Sequence, residues 1–136
     1  MLFLNTKKNK AELNLNTILK NSEDTKKNIV SFLIPKNHSA KKVGLLNHMS
    51  LLSNEGLLYK NTYLFHTFGM FFPIGIICFD KSYKILSKPI VIQKNCLFIV
   101  PFKTKYVAEI NHEIIDKINE SHYSEKVLVY KNKLFS

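Results

Sequence analysis

The stretch Ile74-Gly75-Ile76-Ile77-Cys78-Phe79 determines the fold class that this sequence predicts. It is apolar at consecutive positions, whereas a strand with one wet face alternates apolar and polar side chains. The longer apolar run over residues 68–79 contains Pro73 and is about twelve residues long, while a membrane-spanning helix needs about twenty. We therefore expect residues 74–79 to form a central strand that is buried on both faces, with a turn over residues 80–82.

Short strands are predicted on both sides of this stretch. Residues 2–15 favour a hairpin, because two short alternating runs flank polar turn residues. Residues 29–34 favour a strand that Pro35 ends. Five downstream segments rich in β-branched and aromatic residues predict further strands: residues 83–86, 90–92, 96–100, 106–110 and 127–130. Many short strands at this spacing indicate a mainly β fold, a small β-sandwich or barrel.

Two short α-helices and one more turn complete the predicted elements. Ser39 can cap a helix over residues 39–46, and Asn111 can cap a helix over residues 112–118. The segment Asn54-Glu55-Gly56 predicts a turn, because glycine adopts positive φ without a steric penalty.

The composition indicates one folded domain over residues 1–136. A chain of 136 residues has the usual size of a single domain, and the polar residues 21–28 indicate an exposed loop within it. The hydrophobic fraction is 46% and includes ten Phe, so this chain can bury a substantial core. That composition excludes a disordered chain.

The cysteines and the N-terminal residues predict a cytoplasmic protein. Cys78 and Cys96 lack the CxxC spacing of a zinc or redox motif, so we expect two reduced structural thiols. Reduced thiols are typical of the cytoplasm. The apolar run over residues 1–4 ends at Asn5, far short of the hydrophobic region of a signal peptide.

The chain is strongly positive, and the type of its basic residues narrows the choice of partner. The net charge is +10, and all 20 basic residues are Lys, whose A/T-rich codons favour a compositional origin of the charge. Arg makes bidentate contacts with bases and phosphates that Lys does not make, so a dedicated reader of nucleic-acid sequence is disfavoured. A diffuse positive field still attracts nucleic acid or anionic lipid without specificity.

The residues just before Pro73, numbered 66–72 and called here the aromatic segment, form the predicted binding surface. Too many large apolar side chains lie there for a strand to bury all of them, because only alternate residues point inward. The predicted turn at residues 54–56 flanks this surface. The candidate binding residues are Glu55, Gly56, His66, Thr67, Phe68, Gly69, Met70, Phe71 and Phe72.

Several of these residues also have simpler predicted roles. His66 has no second His, Cys or carboxylate at metal-ligand spacing, so we expect a structural histidine and no metal site. Met70 is expected in the core, and Gly69 is expected to bend the chain before the buried strand. Glu55 and Glu109 are expected to accept main-chain N–H bonds at turns.

Four stretches, taken in order, resemble the uncharacterised family DUF192, in the branch that reads HTF-x-M-R-F-P-I-D. They are residues 40–46 (AKKVGLL), 54–58 (NEGLL), 66–80 (HTFGMFFPIGIICFD) and 106–110 (YVAEI). The resemblance covers nearly the whole chain and implies a single domain without an established activity. Phe71 and Gly75 stand where the family usually has Arg and Asp, so the resemblance does not carry that charged pair to this chain.

These observations favour a non-catalytic binding or assembly module that contacts another protein through the aromatic segment. Two alternatives stay open: a small hydrolase-like enzyme using Glu55, His66 and Glu109, and a basic accessory protein bound to RNA or a ribonucleoprotein. Convergence of the three side chains in one pocket would favour the enzyme, and Lys residues clustered on one face would favour RNA binding. No cofactor is predicted.

Overall fold

The computed structural model describes residues 4–7, 10–14, 29–34, 55–118 and 123–131. These residues form ten strands and one short helix, so the predicted mainly β class is confirmed. In chain order the elements are β1 (Leu4–Lys7), β2 (Lys10–Asn14), β3 (Ile29–Leu33), β4 (Glu55–Lys60), β5 (Leu64–His66), β6 (Ile74–Phe79), β7 (Ile90–Ile92), β8 (Cys96–Ile99), β9 (Tyr106–Asn111), α1 (His112–Ile115) and β10 (Leu128–Lys131). The predicted loop over residues 21–28 and the predicted helix over residues 39–46 lie outside the described residues.

The described strands form two open sheets and not a closed barrel. The larger sheet has seven strands in the order β1-β2-β3-β4-β9-β6-β7, and the smaller sheet has three in the order β10-β8-β5. β3 and β4 pair in parallel, and the other neighbouring strands pair antiparallel. β6 has a partner on each side and all six of its residues are buried, which confirms the predicted central strand.

The inner core lies between the two sheets. Phe65 of β5 pairs with Phe98 of β8, and their rings stack with centroids 4.9 Å apart. Both rings are buried, so the alternate residues Leu64 and Ile99 point to the outer face of the smaller sheet, where they are exposed. The larger sheet contributes alternate residues of its central strands to this core: Leu57, Tyr59, Ile74, Ile76, Cys78 and Val107.

A second core covers the opposite face of the larger sheet. Asn111 caps α1, because its side-chain oxygen accepts the N–H of Glu113 at 2.8 Å, which confirms the predicted cap. Ile114 and Ile118 of this region are buried against the sheet. β6 is therefore covered by the smaller sheet on one face and by α1 on the other, which explains its consecutive apolar residues.

Apart from residues 83–86, the predicted strand positions agree with the structure to within about one residue where it describes them. The N-terminal hairpin pairs Leu4 with Leu13, as its alternation indicates. The predicted turn over residues 54–56 is wrong at its last two positions, because Glu55 and Gly56 begin β4. A Cβ on Gly56 would lie 2.5 Å from the Phe32 ring, so the glycine serves close packing there and not a turn.

Residues 83–86 do not form the predicted partner strand of β6. The Asp80 carboxylate accepts the N–H of Ser82 at 2.7 Å and the N–H of Lys84 at 3.0 Å, which extends the predicted turn. Only an isolated bridge at Ile85 follows. The Asp80 carboxylate thus binds main-chain N–H groups close to where a β-ladder with β6 would have begun.

Candidate functional site

Thr67 anchors the aromatic segment to the turn that precedes β8. Its hydroxyl donates to the carbonyl of Gln93 at 2.8 Å and accepts the N–H of Cys96 at 2.8 Å. The main-chain N–H of Thr67 also donates to the Cys96 carbonyl at 2.8 Å. Because Thr67 is buried, these bonds have little competition from water and hold the start of the segment in place.

Further main-chain bonds close the aromatic segment on itself. The Thr67 carbonyl accepts the N–H of Met70 at 3.2 Å and the N–H of Asn95 at 3.1 Å. Gly69 has a φ of 80°, a left-handed conformation that few residues other than glycine adopt. The predicted bend at Gly69 is confirmed, and it turns the chain from β5 towards β6.

The side chains of the aromatic segment divide between the core and the surface. Met70 and Phe72 are buried in the inner core, which confirms the predicted core role of Met70. Phe71 lies between them in sequence and is 68% exposed. Of these three neighbouring side chains, the structure therefore leaves one large ring accessible to a partner.

His66 belongs to β5, a strand that was not among those predicted from the sequence. Its neighbour Phe65 is buried, so His66 points to the outer face of the smaller sheet. Its Nδ1 accepts the N–H of Phe68 at 3.2 Å, and the two rings stack with centroids 4.8 Å apart. The aromatic residues Tyr63 and Phe65 are the strand signal that would have found β5.

Glu55 and Gly56, the flanking part of the predicted surface, separate to opposite faces of β4. The register places Glu55 in one row with Asn111 and Ile74. Ile74 lies two residues after the aromatic segment, and two strand spacings separate it from Glu55 by about 10 Å. Glu55 is exposed and Gly56 is buried beneath Phe32. The structure thus keeps Glu55 at the same end of the sheet as the aromatic segment and removes Gly56 from the surface.

Glu109 is a buried carboxylate on the face of β9 that meets the inner core. It is 4% exposed, and the Tyr59 hydroxyl donates to its Oε2 at 3.5 Å. Burial raises the pKa of Tyr59 above its ordinary value, and the negative charge and hydrogen bond of Glu109 raise it further. Glu55 and Glu109 both lie in strands, so the prediction that they organise turns is wrong.

The three residues of the enzyme alternative do not converge. Glu109 faces the space between the sheets, whereas His66 faces outward from the smaller sheet. Glu55 shares a sheet face with Glu109 but lies in solvent at the start of β4. An acid–base pair with a histidine in reach therefore does not form from these side chains.

Both cysteines are buried and free, as the spacing predicted. Burial raises the pKa of the Cys78 thiol to about 11, although the Ser87 and Thr104 hydroxyls beside the sulfur offset part of that rise. A thiol with this pKa stays protonated at neutral pH and is a poor nucleophile.

Gly75, which stands where the resembled family has Asp, has no room for a side chain. A Cβ there would lie 2.6 Å from the side chain of Ile115, the last residue of α1, which packs onto β6. Phe71, at the position of the family's Arg, is exposed. In place of that charged pair, this chain therefore has a glycine packed against Ile115 and an exposed Phe ring.

The fold and the site together define a two-sheet β protein with an anchored, partly exposed aromatic segment. Comparison of the chain with protein families, with curated proteins and with solved structures finds no match, so the resemblance to DUF192 stays a prediction. Within the described ranges, no group of three His, Cys, Asp or Glu side chains is placed to hold a metal ion. In the same part of the chain, no helix has the length and apolar character that crossing a membrane requires.

Proposed function

We propose that this protein is a non-catalytic protein-binding module that contacts its partner through the exposed part of the aromatic segment. The observation that carries the proposal is Phe71, a ring 68% exposed on a segment whose main chain is anchored at Thr67. A segment whose main chain is held in place before binding loses little backbone entropy when a partner covers it. Phe71 therefore has the properties of an interface anchor.

The neighbours of Phe71 provide the remainder of such a surface. His66 and Phe68 are partly exposed and stack on one another. Glu55 supplies a carboxylate at the same end of the larger sheet. An apolar centre with a polar rim is the usual organisation of a protein interface.

Burial narrows the candidate residues to those that a partner can reach. Four of the nine contribute to packing or anchoring in place of direct contact: Gly56, Thr67, Met70 and Phe72. The proposed contact residues are therefore Glu55, His66, Phe68, Gly69 and Phe71. The separation of Glu55, His66 and Glu109 favours binding over catalysis, and RNA binding stays a prediction.

The proposal is tested by capture of partners from a native lysate with the wild type, Phe71→Ala and Phe102→Ala. Phe102 is 90% exposed and lies outside the aromatic segment, so it is a matched control for loss of an exposed ring. We expect Phe71→Ala to reduce the recovery of specific partners by about tenfold or more, since anchor residues contribute at least about 2 kcal/mol to binding. Quantitative mass spectrometry measures the recovery.

The control should retain those partners, and thermal unfolding should be unchanged in both variants because both rings are exposed. Equal recovery of every partner by the three proteins would remove the aromatic segment as the contact surface.

A further inference from the structure

The smaller sheet ends in an exposed apolar edge strand, β10. Among the described strands, its one neighbour is β8. Leu128, Val129 and Tyr130 are 49%, 43% and 53% exposed, although successive side chains point to opposite faces of the sheet. The outer side of an edge strand presents main-chain N–H and C=O groups to any strand that approaches, so natural proteins usually shield such edges.

Leu128 also ends an apolar row on the outer face of the smaller sheet. The register pairs Leu64 with Ile99 and Ile99 with Leu128, and all three side chains are exposed. A further strand beside β10 would add one residue to this row and cover the open flank of Leu128. The row therefore favours an occupant that is itself an extended polypeptide.

The sequence segments that contain the strands of the smaller sheet are rich in lysine. Its strands lie within residues 60–66, 94–105 and 126–131, which contain no Asp or Glu and six lysines: Lys60, Lys94, Lys103, Lys105, Lys126 and Lys131. Lys126 lies two residues before β10 and Lys131 is its last residue, and both side chains are exposed. The acidic residue nearest to β10 in sequence is Glu125. It is half-buried, and its main chain forms a β-bridge with Ser87.

This charge pattern selects among the possible occupants of the edge. A second copy of the chain carries the same net charge of +10 and would bring lysines against lysines. A lipid bilayer has no groups that satisfy the main chain of an open strand edge. A polypeptide with carboxylates at its ends satisfies both the main chain and the lysines.

We propose that β10 is a docking edge for an extended, acidic segment of another protein, which adds a fourth strand to the smaller sheet. Main-chain hydrogen bonds along β10 hold this segment, its apolar centre packs on Leu128 and Tyr130, and its terminal carboxylates pair with Lys126 and Lys131. The docking edge is separate from the aromatic segment, so either surface can be tested without the other.

The test uses the full chain and two short peptides labelled with a fluorophore. The acidic peptide has a Val-Thr-Val centre with two glutamates at each end, and the basic peptide has lysines in place of the glutamates. Fluorescence anisotropy measures affinity, and amide hydrogen exchange measures protection of residues 128–131. We expect the acidic peptide to bind more tightly and to slow amide exchange in β10.

A charge-reversal variant, Lys126→Glu with Lys131→Glu, separates specific docking from general attraction to a basic protein. We expect it to bind the acidic peptide about tenfold more weakly and to prefer the basic peptide. Lys81→Glu with Lys117→Glu makes the same change in net charge at exposed positions outside the smaller sheet, and this control should keep the wild-type preference.

Four outcomes would overturn the proposal. The first is equal affinity of the wild type for both peptides, and the second is an equal loss of affinity in the two double variants. The third is binding without protection of residues 128–131. The fourth is occupation of the edge by a lipid surface or by a second copy of the chain. Binding to phosphatidylserine vesicles but not to the acidic peptide would show the lipid surface. A dimer in sedimentation that Val129→Lys abolishes would show the second copy.

Discussion

Gly56 lies where three strands of the larger sheet come into close contact. It pairs with Phe32 of β3 on one side and with Ile110 of β9 on the other. A Cβ at this position would lie 2.5 Å from the Phe32 ring and 2.6 Å from the main-chain oxygen of Glu109. The space that a side chain would need is filled by its neighbours, so packing accounts for the glycine.

We expect Gly56→Ala to lower the free energy of unfolding by about 2 to 3 kcal/mol, because the methyl group must displace the Phe32 ring or separate β4 from β9. Chemical denaturation measures the change. Ser31→Ala, an exposed position on the adjacent β3, is the control and should stay within about 0.5 kcal/mol of the wild type. A fully stable Gly56→Ala protein would contradict this packing.

At the scale of elements, the aromatic segment is ordered by its bonds to a neighbouring turn. The Thr67 hydroxyl is both donor and acceptor, to Gln93 and from Cys96. One side chain therefore couples the end of β5 to the start of β8. The carboxylate of Asp80 orders the turn after β6 in a similar way, since it accepts two main-chain N–H groups.

Thr67→Val removes the two hydrogen bonds of the hydroxyl while it keeps the shape of the side chain. We expect a loss of about 1 to 3 kcal/mol of stability, because the buried N–H of Cys96 loses its acceptor. Amide exchange at Asn95 and Cys96 should become faster, and binding that depends on Phe71 should weaken as the segment loses its anchor. Differential scanning calorimetry and hydrogen exchange measure these effects.

The control is Thr62→Val, which removes an exposed hydroxyl that donates to the Lys60 carbonyl at 3.0 Å. It should change stability and exchange little, because water replaces an exposed bond. Equal behaviour of the two variants would show that the Thr67 hydroxyl does not anchor the segment.

At the scale of the whole molecule, the inner core contains two acids that folding keeps protonated. Burial raises the pKa of Cys78 from its ordinary 9.0 to about 11, and burial also raises the pKa of Tyr59. In the unfolded chain both groups regain their ordinary values and release protons at a lower pH. The unfolded chain therefore binds fewer protons at alkaline pH, and stability falls as pH rises.

We expect the free energy of unfolding to decline from about pH 9, with Cys78 accounting for about 2 to 3 kcal/mol of the loss by pH 11. Urea denaturation between pH 8 and 11 under reducing conditions measures the decline. Cys78→Ala should be less stable at pH 8 but show a shallower decline, because the titrating thiol is gone. An unchanged slope in that variant would exclude Cys78 as a cause.

Several features could be predicted because they depend on residues close together in the chain. Consecutive apolar residues indicated β6, and Asn111 indicated the start of α1. Prediction failed at Glu55 and Gly56, whose turn-like composition was overridden by pairing with β3 and β9. It failed again at β5, a three-residue strand whose partner β8 lies about thirty residues later.

The amino-acid sequence by itself determined the mainly β class, the buried central strand, the approximate bounds of most described strands and the bend at Gly69, because local pattern and backbone chemistry specify these. Only the tertiary structure decided that the described strands form two open sheets with β10 at an edge, and that Phe71 is exposed while Met70 and Phe72 are buried. These outcomes depend on contacts between residues far apart in the chain, which no local pattern contains.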